Sequence, residues 1–242
     1  MLGLGVWRMA AGAETEQAVT WAFEAGYRHV DTASMYSNER SVGDAIRRSG
    51  LPRDELFVTT KLMPTHPNAR PELERSLERL GLDYVDLYLI HWPMPVLRTR
   101  YWRQFESLKA QGLTREIGVS NYSRNHLEAL RRRGLQTPAV NQVRFSSLHY
   151  RRPLLEYCDA HGIVLEAYSP LDQGRGLEHP TIRDVAERLG RTPAQIMIRW
   201  AIQRNTVAIP KSSREERIRS NAQVFDFELD SDDMRLLDGL GA

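Results

Sequence analysis

Eight short strand-like runs recur along the chain at a spacing of roughly 30 residues, the length of one strand–helix unit with its return strand. Six are entered through a glycine that follows a helical stretch. Gly26 precedes residues 27–30, Gly50 leads to 56–60, Gly81 to 85–90, Gly112 to 116–119, Gly134 to 139–143 and Gly162 to 163–165. Residues 2–7 open the series and 206–209 close it. Glycine just past a helix end supplies the left-handed residue that terminates it. Between the runs the pattern turns helical: Leu73, Leu77 and Leu80 are spaced i, i+4, i+7, as are Ile182, Val185 and Leu189 approximately. Thr192-Pro193-Ala194-Gln195 reads as an N-cap, a proline at the first helical position and a capping-box glutamine. Eight strands alternating with helices over 242 residues require a parallel sheet. Even spacing and near-continuous apolar strands favour an α/β fold closed into a (β/α)8 TIM barrel over an open doubly wound sheet. No Pro- or Gly-rich linker divides the chain, so residues 1–242 read as a single domain.

Composition removes several function classes. Lys plus Arg is 33 and Asp plus Glu is 31, a net charge of +2, too small for a nucleic-acid binder that works by bulk electrostatics. No apolar run approaches the ~20 residues that span a bilayer, and residues 1–10 lack the layout of a signal peptide. One cysteine, Cys158, excludes an internal disulfide and a multi-cysteine metal site, and its helical spacing with Leu154 and Leu155 makes it a core residue. A reducing cytoplasm is the compartment this implies. Only Lys61, Lys109 and Lys211 are lysine; the other basic residues are arginine, so a retained lysine marks a place where a compact ammonium is needed. Arg131-Arg132-Arg133 reads as a solvated helix terminus. His66, His126, His149, His161 and His179 show no metal-ligand spacing.

In such a barrel the active site forms at the carboxyl ends of the strands. The polar residues there are Asp31, Lys61, His91, Ser120 with Asn121, Gln142, Tyr168 with Ser169, and Lys211 with Ser212. Asp31, Lys61 and His91 end three successive strands, and adjacent strands lie ~4.8 Å apart. Tyr36 follows in the loop after Asp31. This quartet suits proton transfer to a carbonyl oxygen. A free phenol is a poor acid near neutrality; a neighbouring Lys61 ammonium lowers its pKa, Asp31 holds that ammonium, and His91 donates a second hydrogen bond. The plainer alternative is a buried Asp31–Lys61 ion pair beside a core histidine. A metal-dependent hydrolase would use His29, Asp31 and His91, but no His-x-His pair sits at a strand end and Lys61 would repel the metal.

The chain resembles the aldo-keto reductase family, of the bacterial diketogluconate reductase-like type. The matching segments are Gly26-Tyr27-Arg28-His29-Val30-Asp31-Thr32-Ala33, Tyr36, Asn38-Glu39 with Val42-Gly43, Thr59-Thr60-Lys61 and Leu89-Ile90-His91-Trp92-Pro93. Ile117-Gly118-Val119-Ser120-Asn121, Val140-Asn141-Gln142, Ala167-Tyr168-Ser169-Pro170-Leu171 and Ile209-Pro210-Lys211-Ser212 follow in family order. The resemblance implies a monomer that reduces aldehydes and ketones with NADPH, with catalytic roles for Asp31, Tyr36, Lys61 and His91 and Tyr36 as the acid. It also implies that Lys211, Ser212 and Arg217 hold the adenosine 2′-phosphate and Asn221 the adenine. Ser120, Asn121 and Gln142 would bind the nicotinamide carboxamide, Tyr168 would stack on its ring, and Ser169 and Leu171 would add cofactor contacts. Trp7 and Trp92 match positions that line the substrate pocket, and Met63 stands where relatives often carry an aromatic.

Physical chemistry agrees on the cofactor. Gly3-Leu4-Gly5 lacks the third glycine of a Rossmann fingerprint, whereas Lys211-Ser212-Ser213-Arg214 with Arg217 opens a helix after the last strand, where barrels bind phosphate. The sequence departs from the family in starting almost at the first barrel strand, without the usual N-terminal hairpin, and in stopping short of the usual C-terminal tail. It also has a short segment at 94–100, Arg144 and Ser147 in place of a common Glu and Pro, and Ser220 in place of a Glu. These features predict an open pocket with loose specificity for small aldehydes, α-dicarbonyls or keto sugars. The competing reading is a nicotinamide-nucleotide-binding sensor that does not turn over.

Overall fold

The computed structural model describes residues 1–63, 65, 67–94 and 98–241; His66 and the middle of the 94–100 segment lie outside the described residues. Eight parallel strands pair in sequence order: β1 (Gly3–Gly5), β2 (His29–Asp31), β3 (Phe57–Leu62), β4 (Val85–Ile90), β5 (Thr114–Ser120), β6 (Val140–Arg144), β7 (Val164–Tyr168) and β8 (Val207–Ile209). The sheet closes on itself. Leu2 bridges Ala208 in parallel, Ala208 N donates to Met1 O at 3.1 Å, and Gly5 N donates to Pro210 O at 3.2 Å. This is the expected (β/α)8 barrel. The outer ring is formed by α1 (Ala13–Glu24), α2 (Glu39–Ser49), α3 (Ala69–Leu80), α4 (Arg98–Ala110), α5 (Arg124–Arg131), α6 (Arg152–Ala160), α7 (Pro180–Leu189), α8 (Pro193–Gln203), α9 (Glu215–Ala222) and α10 (Ser231–Asp238).

Local signals explain the boundaries. Gly50 and Gly81 end α2 and α3 in the left-handed conformation. Thr192 and Gln195 form the capping box at the start of α8, Thr192 Oγ1 accepting from Gln195 N at 3.2 Å and Gln195 Oε1 accepting from Thr192 N at 2.9 Å. Strand β3 runs on to Leu62, which pairs with Ile90, so Lys61 lies one residue inside the strand end at which it was expected. Asp230 accepts from the N–H groups of Asp232 and Asp233, both at 2.8 Å, and caps α10 at Ser231.

Strand alternation sorts side chains into two environments. Leu4, Val30, Val58, Tyr88, Ile90, Ile117 and Val119 face outward and join the helices in the main apolar core, which also takes in Cys158. The barrel interior is different. Its apolar part is a small cluster of Leu87, Leu89 and Val140, flanked by Phe57 and Ala139. The rest is polar and buried: His29, Asp31, Thr59, Lys61, Gln142 and Glu166. Barrel interiors are usually layered with branched aliphatic side chains, so a charged lumen marks where this chain departs from packing for its own sake. Among the described residues no helix is long and apolar enough to cross a membrane.

Candidate active site

Lys61 organises the mouth of the barrel. Its side chain is fully buried, and its ammonium directs its three N–H groups at three oxygens: Asp31 Oδ1 at 2.6 Å, the Thr32 carbonyl at 2.8 Å and the Tyr36 hydroxyl at 3.4 Å. Burial opposes the charge, but Asp31, Tyr36 and Glu166 outweigh it and hold the pKa of Lys61 above its ordinary value. Asp31 is pushed up by burial, against the pull of Lys61 and Gln142. A buried pair of this kind contributes little net stability, but losing one partner leaves an uncompensated charge.

Tyr36 is brought over Lys61 by a tight 3₁₀ turn, Ser34–Tyr36. Ser34 Oγ donates to Lys61 O at 3.0 Å, and Ser37, in the left-handed conformation, turns the chain away. Asn38 anchors the same loop: it accepts from Thr32 Oγ1 at 3.0 Å and donates to Val6 O at 2.9 Å. The Lys61 ammonium lies 5.0 Å from the centre of the Tyr36 ring, and the His91 ring meets it edge-on at 5.7 Å. An ammonium beside a phenol is expected to make it more acidic. Lys61 does pull in that direction, but burial is larger, and the pKa of Tyr36 lies above its ordinary value. The hydroxyl therefore stays protonated at neutral pH. His91 is lowered to about 3 by burial and by Lys61, so it is a neutral imidazole. Its buried Nδ1 has no partner among the described residues.

Asp31 and Gln142 come from opposite sides of the barrel and meet through its interior. The Gln142 amide nitrogen donates to Asp31 Oδ2 at 2.7 Å and to Glu166 Oε1 at 2.5 Å. Both of its N–H groups are thus committed, leaving the amide oxygen for anything bound above. Asn121, in the left-handed conformation that asparagine tolerates, ties three strands together. It donates to His91 O at 3.1 Å and Ser120 Oγ at 3.0 Å, and accepts from the Tyr168 hydroxyl at 2.9 Å.

A cavity of about 1150 Å³ runs from this mouth to the turn after β8. Trp7, Met35 and Trp92 form one end, exposed by 40%, 45% and 47%. Ser120, Asn121, Gln142, Tyr168, Ser169 and Leu171 line the middle, and Lys211, Ser212, Arg217 and Asn221 the far end. Every site residue expected from the sequence borders this cavity except Lys61, which is sealed beneath Asp31 and Tyr36. Met63 is not among the described lining residues; Met35 takes the wall instead. At the far end, α9 begins without a side-chain cap. Among the described residues, Lys211, Arg214 and Arg217 are in ion-pair reach of no carboxylate, whereas Arg219, two residues past Arg217, is paired with Glu24 and Glu215. Unpaired cations beside an uncapped helix N-terminus are suited to an anion.

Three features take places that the sequence reading did not give them. His29 lies one layer below Asp31, its Nε2 3.1 Å from Thr59 Oγ1 and 4.0 Å from Glu166 Oε2. Glu166 shares the face of Tyr168, two residues on, and that alternation was the available signal. Arg144 and Arg175 both pair with Asp172. They pin a segment in which Ser169, Asp172 and Gln173 all adopt positive φ, a strained arrangement of the kind concentrated at binding sites.

The profile of the Aldo/keto reductase family matches residues 1–242. A 9,11-endoperoxide prostaglandin H2 reductase of Trypanosoma cruzi is 46% identical over 245 residues, covering 99% of this chain and 87% of that protein. A glyoxal reductase of Bacillus subtilis is 44% identical over 241 residues, covering 98% and 87%. The crystal structure of an aldo-keto reductase from a Medee basin deep-sea metagenome library superposes with a TM-score of 0.94 at 42% identity, covering 99% of this chain and 90% of that one.

Proposed function

The chain belongs to the aldo/keto reductase family, an oxidoreductase family, and from that premise we propose that it reduces small aldehydes, α-dicarbonyls and keto sugars with NADPH, using Tyr36 as the proton donor. The observation that carries this reading is the junction of two features in one cavity. A phenol hydrogen-bonded to a buried lysine lies at one end and an unpaired cationic turn at the other.

Bound NADPH supplies a hydride to the carbonyl carbon. The rest falls to the protein. As charge builds on the carbonyl oxygen, Tyr36 gives it the hydroxyl proton. An alkoxide is far more basic than a phenolate, so transfer is favourable even from a phenol whose pKa is raised. Lys61, 3.4 Å from the phenol oxygen, stabilises the phenolate left behind, and Asp31 keeps the ammonium in place. His91, neutral, is a second hydrogen-bond donor to the same oxygen. The phenolate then recovers its proton from solvent. Ser120, Asn121 and the free oxygen of Gln142 suit a carboxamide, the Tyr168 ring suits a planar face, and Ser169 and Leu171 border it. Lys211, Ser212 and Arg217 suit a 2′-phosphate, with Asn221 beside the adenine. The exposed Trp7 and Trp92 make an open wall for small carbonyl compounds, and the glyoxal reductase relative acts on one such compound by name. The reading takes the protein as a monomer of the cytoplasm; its one cysteine, Cys158, is a buried free thiol.

Loss of NADPH in the presence of methylglyoxal or 4-nitrobenzaldehyde measures the activity. Tyr36→Phe is expected to lower kcat by about 10³-fold, within the usual range for removing a general acid, with nucleotide affinity nearly unchanged. A Phe variant as fast as its parent would overturn the assignment.

A further inference from the structure

Glu166 has no part in the reaction just described, yet it is a fully buried carboxyl at the centre of the polar lumen. The groups around it are known from each element that packs on it. Gln142 faces it from β6, with Nε2 2.5 Å from its Oε1. His29 faces it from β2, with Nε2 4.0 Å from its Oε2, and the Met1 ammonium acts on His29 from beyond. Asp31 from β2 and Lys61 from β3 are its charged neighbours within the network. Its register partner on β8 is Val207, which carries no charge.

Two carboxyls and one ammonium thus share a buried space. If both carboxyls ionised, the lumen would hold a net negative charge far from water, which is costly. His29, its own pKa lowered to about 3 by burial, Lys61 and the Met1 ammonium, supplies no compensating cation. The economical charge state is Lys61 charged, Asp31 ionised and Glu166 neutral. Burial and the proximity of Asp31 push Glu166 up to about 8, in agreement. In that state the Gln142 amide bridges an ionised and a neutral carboxyl, one N–H to each. Once Glu166 ionises, it competes with Asp31 for Gln142, and it adds a negative charge to the field that acts on Lys61 and Tyr36. Both effects make a phenolate at Tyr36 harder to form.

We propose that Glu166 is a positioning residue that must be the neutral acid for carbonyl reduction, and that its ionisation, relayed through Gln142 and Asp31 to Lys61 and Tyr36, sets the alkaline limit of the reaction. The kinetic part rests on the function proposed above; the charge state of Glu166 does not.

The pH dependence of kcat for methylglyoxal reduction tests it, read beside the infrared carbonyl band of a protonated carboxyl. In the native enzyme kcat is expected to fall towards tenfold per pH unit above about pH 8, and the band to disappear with the same midpoint. Glu166→Gln mimics the neutral acid. It should lack the band, keep kcat near neutrality within about threefold, and carry its plateau at least about one pH unit higher. An unchanged alkaline limb in Glu166→Gln, or a band midpoint that differs from the kinetic one, overturns the inference. Should Glu166→Gln fail to fold, the two midpoints in the native enzyme still decide. Absence of the band at about pH 6 overturns it whatever the activity. A native enzyme with the band but no reductase activity overturns the proposed function and the kinetic role of Glu166, and leaves only its neutral state.

Discussion

At the scale of the residue, the site is an exercise in matching charges. Lys61 holds one carboxylate, one carbonyl and one phenol with three donors, so no proton of the buried ammonium is left unsatisfied. The opposite condition holds at the far end of the cavity, where Lys211, Arg214 and Arg217 wait without carboxylates on a surface whose other arginines are widely paired. Arg217 should therefore distinguish the two nicotinamide nucleotides. Arg217→Ala is expected to weaken NADPH binding by about 10-fold or more, the scale of one lost charge-assisted contact, and to leave NADH within about twofold. Fluorescence titration of both nucleotides checks this. Equal losses for the two would remove Arg217 from the 2′-phosphate.

At the scale of the element, close contacts between helices set what the barrel tolerates. Gly43 lies inside α2, where alanine would ordinarily be the better helix former by about 1 kcal/mol. Here a Cβ would overlap the carbonyl of Leu80 at the end of α3, and backbone cannot swing aside as a side chain can. Gly43→Ala is expected to cost about 1–3 kcal/mol net, the range for overpacking a tight contact, measured by urea unfolding. An unchanged or higher midpoint would mean that the helices part easily. The same helix begins with Glu39, which accepts from Thr60 Oγ1 at 2.6 Å and from Arg79 Nε at 2.6 Å. Movement of α2 is thereby coupled to β3, the strand that carries Lys61.

At the scale of the whole molecule, the polar lumen gives stability a distinctive pH dependence. His29 and His91 titrate near the ordinary 6.5 when unfolded but at about 3 in the fold. Below pH 6.5 unfolding therefore takes up two protons, and stability is lost as pH falls. Glu166 works the other way, at about 8 in the fold against an ordinary 4.5. Above pH 4.5 its unfolding releases a proton, and stability is lost as pH rises towards 8. Between pH 4.5 and 6.5 the two histidines outnumber the one acid. These three groups alone contribute a net slope of about 1.4 kcal/mol per pH unit in favour of higher pH. The contribution of these three groups is thus expected to peak near pH 6.5 and to decline towards pH 8, and Glu166→Gln should remove its alkaline decline. Urea unfolding on both sides of the peak tests this; stability that climbs from pH 6.5 to 8 would count against it.

What the sequence determined by itself was local. Strand alternation, glycines past helix ends and the Thr192–Gln195 capping box each act within a few residues, and eight such units in even order leave little but a closed parallel barrel. Strand ends were legible for the same reason, so Asp31, Lys61, His91, Gln142 and Tyr168 were nominated, and Tyr36 and the cationic turn with them. The resemblance supplied the roles that spacing could not. Tertiary structure decided what these groups do to one another. Gln142 reaches Asp31 across 111 residues of chain, Glu166 joins them from a third strand, and burial outweighs Lys61 in setting the acidity of Tyr36. Those outcomes depend on which side chains share a water-free interior, and that interior exists only once the barrel has closed.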